Sequence, residues 1–287
     1  MRKINIKSIM RSKTILRRLF QKLLNIIGFE AVRVLELTSL RQNVLMKDAL
    51  VRWTDPAVPN EISKYILGRL TVSGVNSQLQ QDLLACYINA LSTSNNKFFV
   101  EFGATDGVLY SNTLSLEKIF GYSGILAEPA RSCHISLREN RSSLIDERCV
   151  WKTSNELIWF SESSEIEYSN IKGTDTLDGL NHVRENTLAY QVLSVSLNDL
   201  LTEHQAPHRI SYLSIDTEGT EYEILRNLDF LKWSFNFISV EHNHTNRKAE
   251  ISGLLSLNGY TQILAEISDF DGWYVHDSLM PKYKKIL

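Results

Sequence analysis

Val100-Glu-Phe-Gly-Ala-Thr-Asp-Gly107 closes an apolar run starting at Lys97 and opens a helix-forming stretch at Ser111. A second apolar run, Gly124-Ile-Leu-Ala127, ends on Glu128, 21 residues beyond Gly107. In a parallel βαβ unit, a glycine turn after the first strand lets backbone approach a ligand. The following helix N-terminus offers unpaired N–H groups, and an acid at the tip of the second strand accepts from ribose hydroxyls. The turn has neither Gly-x-Gly-x-x-Gly for a pyrophosphate nor Gly-Lys-Ser/Thr for a triphosphate. Asp106 would repel a phosphate but suits a cationic, phosphate-free adenosine ligand. S-adenosylmethionine has that chemistry, and its use implies methyl transfer.

Outward from this turn, strands alternate with helices. The patterning predicts strands at 97–102, 124–127, 148–152, 156–161, 191–195, 210–215 and 235–240. Helices are expected at 111–120, 131–140, 196 onward, 221–228 and 247–258, and a closing β-hairpin at 260–267 and 272–276. Such alternation predicts a mostly parallel sheet of Rossmann-like form, with the C-terminal hairpin adding one antiparallel edge strand. Residues 163–189 are polar and aperiodic, as expected of a substrate-covering loop. Upstream, residues 31–95 read as a helical extension, in which Ser77 is expected to cap a helix running to Leu91.

Charge separates the N-terminus from this body. Residues 1–29 carry eight Lys or Arg and no acid, which leaves −10 on the remainder of a chain of net charge −2. An acidic body argues against nucleic acid as substrate, which clustered basic residues would have to hold. Within residues 1–30, Leu16, Leu19, Phe20, Leu23, Leu24 and Ile27 recur at helical spacing. The run is too short and too charged to span a bilayer, and no signal-peptide cleavage site follows. It predicts either an interfacial helix drawn to anionic lipid or a helix packed on protein. A cytoplasmic location, at the inner membrane face, follows from the first reading. Cys86, Cys133 and Cys149 form no Cys-x-x-Cys pair and are expected as buried thiols.

A second constellation follows two later strands, in Ser214-Ile-Asp-Thr-Glu-Gly-Thr-Glu221 and Val240-Glu-His-Asn-His244. Ligands of open α/β sheets bind beyond the carboxyl ends of the strands, so Asp216, Glu218, Glu241 and His242 should converge with the first turn. These stretches, with Phe99–Gly107, Ser111-Asn-Thr113, Ala127-Glu-Pro129 and Ser77-Gln-x-x-Gln-Asp82, resemble the FkbM family of S-adenosylmethionine-dependent methyltransferases. The similarity runs from about residue 75 to about residue 277. Thr105 stands where the generic methyltransferase turn carries its middle glycine.

The resemblance implies O-methylation of a sugar or other hydroxylated metabolite in polysaccharide or natural-product pathways. It places Glu101, Gly103, Ala104 and Gly107 along the methionine and ribose end of the cofactor. Asp106, Ser111 and Asn112 are expected at its amino and carboxylate groups, Glu128 at the ribose, and Val150 and Trp151 beside the adenine. Methyl transfer to an alcohol needs help in removing a proton. His242 suits a general base by its ordinary pKa of about 6.5, and Asp216 or Glu218 is the alternative. A hard cation such as Mg²⁺, held by Asp216 and Glu241 with His242, is a further alternative. Trp273 and Tyr274 are candidates for walling the acceptor pocket. An NAD-dependent short-chain dehydrogenase would need a glycine-rich dinucleotide turn and a Tyr-x-x-x-Lys pair, and neither combination occurs. A catalytically silent, cofactor-binding scaffold is the remaining rival.

Overall fold

The computed structural model describes residues 43–73, 77–94, 96–174 and 187–285. The basic leader, residues 1–30, lies outside these, as does much of the polar stretch after Thr174. The chain divides into two compact units, Met1–Asp48 and Ala49–Leu287. Among the described residues no helix is long and apolar enough to cross a membrane.

The larger unit is built on a seven-stranded sheet. Its strands are β1 (Phe98–Phe102), β2 (Ser123–Ala127), β3 (Leu144–Asp146), β8 (Arg209–Ile215), β9 (Ser234–Glu241), β10 (Tyr260–Gln262) and β11 (Asp271–His276). Four further strands, β4 (Cys149–Trp151), β5 (Leu157–Ser163), β6 (Asn170–Ile171) and β7 (Thr187–Ser196), form a second sheet. The large sheet runs β10-β11-β9-β8-β1-β2-β3, parallel from β9 to β3. β11 is antiparallel to both of its neighbours. The antiparallel strand therefore sits one place inside the edge, and β10 takes the edge expected for it. The chain leaves β1 toward β2 and later returns to the other side of β1 as β8, so the topological switch point is the β1–β8 crevice.

Alternate residues of the strands feed two cores. Val100, Phe102, Leu213, Ile215, Ile238 and Val240 pack with α6 (Leu197–Glu203), α7 (Glu221–Leu225) and α8 (Arg247–Leu257). The first described helices are α1 (residues 43–53), α2 (Asn60–Ser73), α3 (Gln81–Leu91) and α4 (Leu114–Lys118). On the opposite face α3 packs on β8 and β9, and Trp53 stacks on Trp273 with ring centroids 5.8 Å apart. Trp273 and Tyr274 are thus core residues and do not line the large cavity. The three cysteines are free and buried.

Several local expectations shift. The strand beside β2 is Leu144–Asp146, and the expected third strand at 148–152 belongs instead to the second sheet as β4. Ser77 caps no helix: α3 starts at Gln81, and the Ser77 hydroxyl donates to buried Asp82 at 2.6 Å. Gln81 donates to Asp271 at 2.8 Å, tying the start of α3 to β11. Part of the expected loop is ordered, with a 3-10 turn at Ile166–Tyr168 and β6 pairing on β5. Ser196 caps α6 as its spacing predicts, its side chain accepting from the Asp199 N–H.

Candidate active site

The turn after β1 is held from beneath by an ion network. Glu101 is buried and accepts from the Asn112 N–H at 2.6 Å, the Ser111 hydroxyl at 3.0 Å and the Thr113 hydroxyl. Burial pushes its carboxyl up, against the Arg141 charge and these hydrogen bonds. Arg141, at the end of α5 (His134–Asn140), has a fully buried side chain. It donates to the Gly107 carbonyl, Ser111, Thr113 and Glu117. Two turn glycines are forced by contact. A Cβ on Gly103 would lie 2.1 Å from the Asp216 carbonyl oxygen, and one on Gly107 would lie 2.5 Å from Arg141 Cγ; both have positive φ. Gly103→Ala should therefore cost about 1–3 kcal/mol through overpacking. A urea midpoint equal to wild type would show that the turn relaxes freely.

Glu128, past β2, is buried. Its Oε2 accepts from the Thr105 N–H and its Oε1 from the Ala130 N–H, both at 2.7 Å. Burial pushes its pKa up to about 7 in spite of these bonds.

Asp216 and Glu241, at the ends of the neighbouring strands β8 and β9, share a side-chain hydrogen bond. With Glu218 they can each bring one oxygen within 4.8 Å of the others. Burial raises the Asp216 carboxyl to about 7, and burial with the charge of Asp216 holds Glu241 well above the carboxylate range. Oxygens so grouped could hold a hard cation, with Glu218 taking the place expected of His242.

One open cavity of about 270 Å³ joins these parts. It is lined by Glu101, Gly103, Asn112, Glu128, Val150, Asp216, Glu218 and Glu241 among the residues foreseen. Ala104, Asp106, Gly107, Ser111 and Trp151 do not line it. Asp106 instead accepts from the Val108 and Leu109 N–H groups, and Ser111 supports Glu101. His242 does not line it either. It borders a smaller cleft with Glu221 and Arg247, its Nδ1 accepts from the His244 N–H, and burial pulls its pKa down to about 4. Glu241 borders both spaces, while His242, the first residue past the end of β9, borders the smaller one.

Sequence reading missed Gln78, Tyr110, Phe160, Tyr168 and Phe270, which also line the cavity. Four lining residues that are not glycine, Thr105, Tyr110, Glu218 and Asn243, have φ between 44° and 57°. Backbone held in such sparsely populated conformations concentrates at functional sites.

An open, mostly parallel sheet with a glycine turn, a strand-two acid and a carboxylate group around one switch-point cavity defines a protein of methyltransferase type. The chain matches the methyltransferase FkbM domain over residues 101–271, more than half its length, and belongs to that family. Solved structures with a similar course include methyltransferase FkbM from Methylobacillus flagellatus KT, at 11% identity and a TM-score of 0.43. That match covers 82% of this chain and 59% of the other. Precorrin-6y C5,15-methyltransferase from Geobacter metallireducens GS-15 has 11% identity and a TM-score of 0.34, covering 67% and 86%. The ribosomal protein L11 methylase from Lactobacillus delbrueckii subsp. bulgaricus has 10% identity and a TM-score of 0.34, covering 68% and 77%. No curated protein matches the chain.

Proposed function

We propose that this methyltransferase uses S-adenosylmethionine to methylate a sugar hydroxyl of a glycan or related metabolite. The observation that carries the reading is the meeting of Gly103, Glu128 and Asp216 at one switch-point cavity. Glu128 retains lone pairs for the ribose hydroxyls, and the β1 turn brings backbone close to the methionine end. On this reading Asp216 replaces His242 as the base of choice. It borders the cavity, its pKa lies near working pH, and Glu241 can share the proton it gains. S-adenosylmethionine, held by the β1 turn and Glu128, would supply the methyl group and leave as S-adenosylhomocysteine, and Asp216 would take the proton that the acceptor hydroxyl gives up.

Isothermal titration with S-adenosylhomocysteine, followed by methyl transfer from labelled S-adenosylmethionine to a panel of glycans, tests the reading. Binding without transfer to any member would favour the scaffold rival. A second reading has a divalent cation on Asp216, Glu218 and Glu241; turnover lost to EDTA and restored by Mg²⁺ would favour it.

Two expected results follow. Hydroxyls donate to the ionised form of Glu128, so protonating it opposes binding. Affinity for S-adenosylhomocysteine should fall about tenfold as pH drops from 8 to 6, through the raised pKa. Glu128→Gln should flatten that profile; an unaltered slope would assign the proton elsewhere. Deleting residues 1–29 should move the protein from a membrane to a soluble fraction if the leader binds anionic lipid, each basic residue contributing about 1 kcal/mol. An unchanged distribution would leave the protein-packing alternative.

A further inference from the structure

The cavity is one-sided in charge. Among its described lining residues are six carboxylates, Glu101, Glu128, Glu167, Asp216, Glu218 and Glu241, and no Lys, Arg or His. A site for a phosphate needs free donors, supplied by basic side chains or by backbone N–H groups at a turn or helix start.

Four backbone donors near the β1–β8 crevice already face protein carboxylates. The Thr217 and Gly219 N–H groups both donate to Glu221 Oε1 at 3.0 Å, filling the concavity ahead of α7. The Thr105 N–H is taken by Glu128 and the Asn112 N–H by Glu101. Arg141, buried beneath the β1 turn, is committed to the Gly107 carbonyl, two hydroxyls and Glu117. The arrangement thus combines negative side chains with occupied donors.

We infer that this cavity takes an acceptor whose reacting end carries no phosphate or carboxylate: a free neutral sugar or amino sugar, and not a sugar phosphate. The inference rests on the sugar-hydroxyl reading above and sharpens it. S-adenosylmethionine itself is compatible, because its sulfonium and ammonium outweigh its carboxylate. For an acceptor, an anion beside Glu218 and the Asp216–Glu241 pair would meet like charge even where that pair shares one proton, and no basic side chain among the described lining residues offsets it, which is discrimination by repulsion. A neutral ring loses nothing there, and its hydroxyls can donate to the carboxylates. An ammonium gains from them.

Saturation-transfer NMR on the full chain, loaded with S-adenosylhomocysteine in EDTA, would compare glucose, glucosamine and glucose 6-phosphate. The dissociation constant for glucose 6-phosphate is expected to exceed those for glucose and glucosamine by about tenfold or more. That gap should narrow in 0.5 M salt and in Glu218→Gln, since screening weakens repulsion between charges. Glucose 6-phosphate binding as tightly as glucose overturns the inference while leaving sugar methylation standing. No binding by any of the three, with the cofactor product bound, overturns both. A gap that survives salt and substitution also overturns it, because shape and not charge would then exclude the phosphate.

Discussion

Arg141→Met is expected to destabilise the fold by about 3–5 kcal/mol, the cost of removing one partner from a buried ion pair. For a unit of this size that is a fall in melting temperature of about 6–20 °C. The guanidinium is fully buried, lies 3.0 Å from Glu117 and 3.7 Å from Glu101, and holds the Ser111 and Thr113 hydroxyls that donate to Glu101. Methionine fills much of the volume but leaves Glu101 and the Gly107 carbonyl without that partner. Arg141→Lys should recover only part of the loss, because an ammonium cannot reach four acceptors with a planar fork. Arg138→Met is the control: that arginine is more than half exposed, pairs with Glu147, and should cost less than about 1 kcal/mol. Thermal unfolding of the three variants checks this. If Arg141→Met melted with the Arg138 control, the network would be decoration and the turn would be held by packing alone.

Asp216→Asn is expected to lower turnover by about 10²–10⁴-fold, the usual contribution of a general base. In barrier terms this is about 3–5 kcal/mol. The amide keeps the shape and the hydrogen bonding but cannot accept the hydroxyl proton. Affinity for S-adenosylhomocysteine should change little, since the side chain lies on the β8 side of the crevice. His242→Ala, by contrast, should reduce turnover less than tenfold, because that residue borders the smaller adjoining cleft and does not line the cavity. Steady-state kinetics of both variants with one acceptor decide the assignment. A greater loss in His242→Ala than in Asp216→Asn would return the base to the histidine.

The parts of the site that sequence made legible are those where one residue type is forced by one strand end. Gly103 and Glu128 needed only the apolar runs before them, and Asp216 and Glu241 needed only β8 and β9. Side-chain direction was harder. Glu241 and His242 are adjacent, and residue type favoured the histidine, while the chain leaves β9 after Glu241 and only that residue of the two reaches the large cavity. β3 escaped notice because it has three residues, with Asp146 paired to Arg148 and His204 at its end. Arg141 escaped for another reason: a single arginine closing a short helix looks like a solvated surface charge until its burial is known. Gln78, Tyr110 and Phe270 come from loops, whose course no period reports.

β4 and β7 pair in parallel, Cys149 beside Ser194 and Trp151 beside Ser196, and from the described segment between them Phe160 and residues 166–171 line the cavity. The excursion leaves and rejoins the body at points one strand-spacing apart. Additions, deletions or exchanges within it therefore begin and end at a fixed doorway. In evolutionary terms the excursion is a cassette on one doorway, tied to the strand-two tip through Glu162, which accepts from the Arg131 N–H and whose charge adds to the upward push on Glu128.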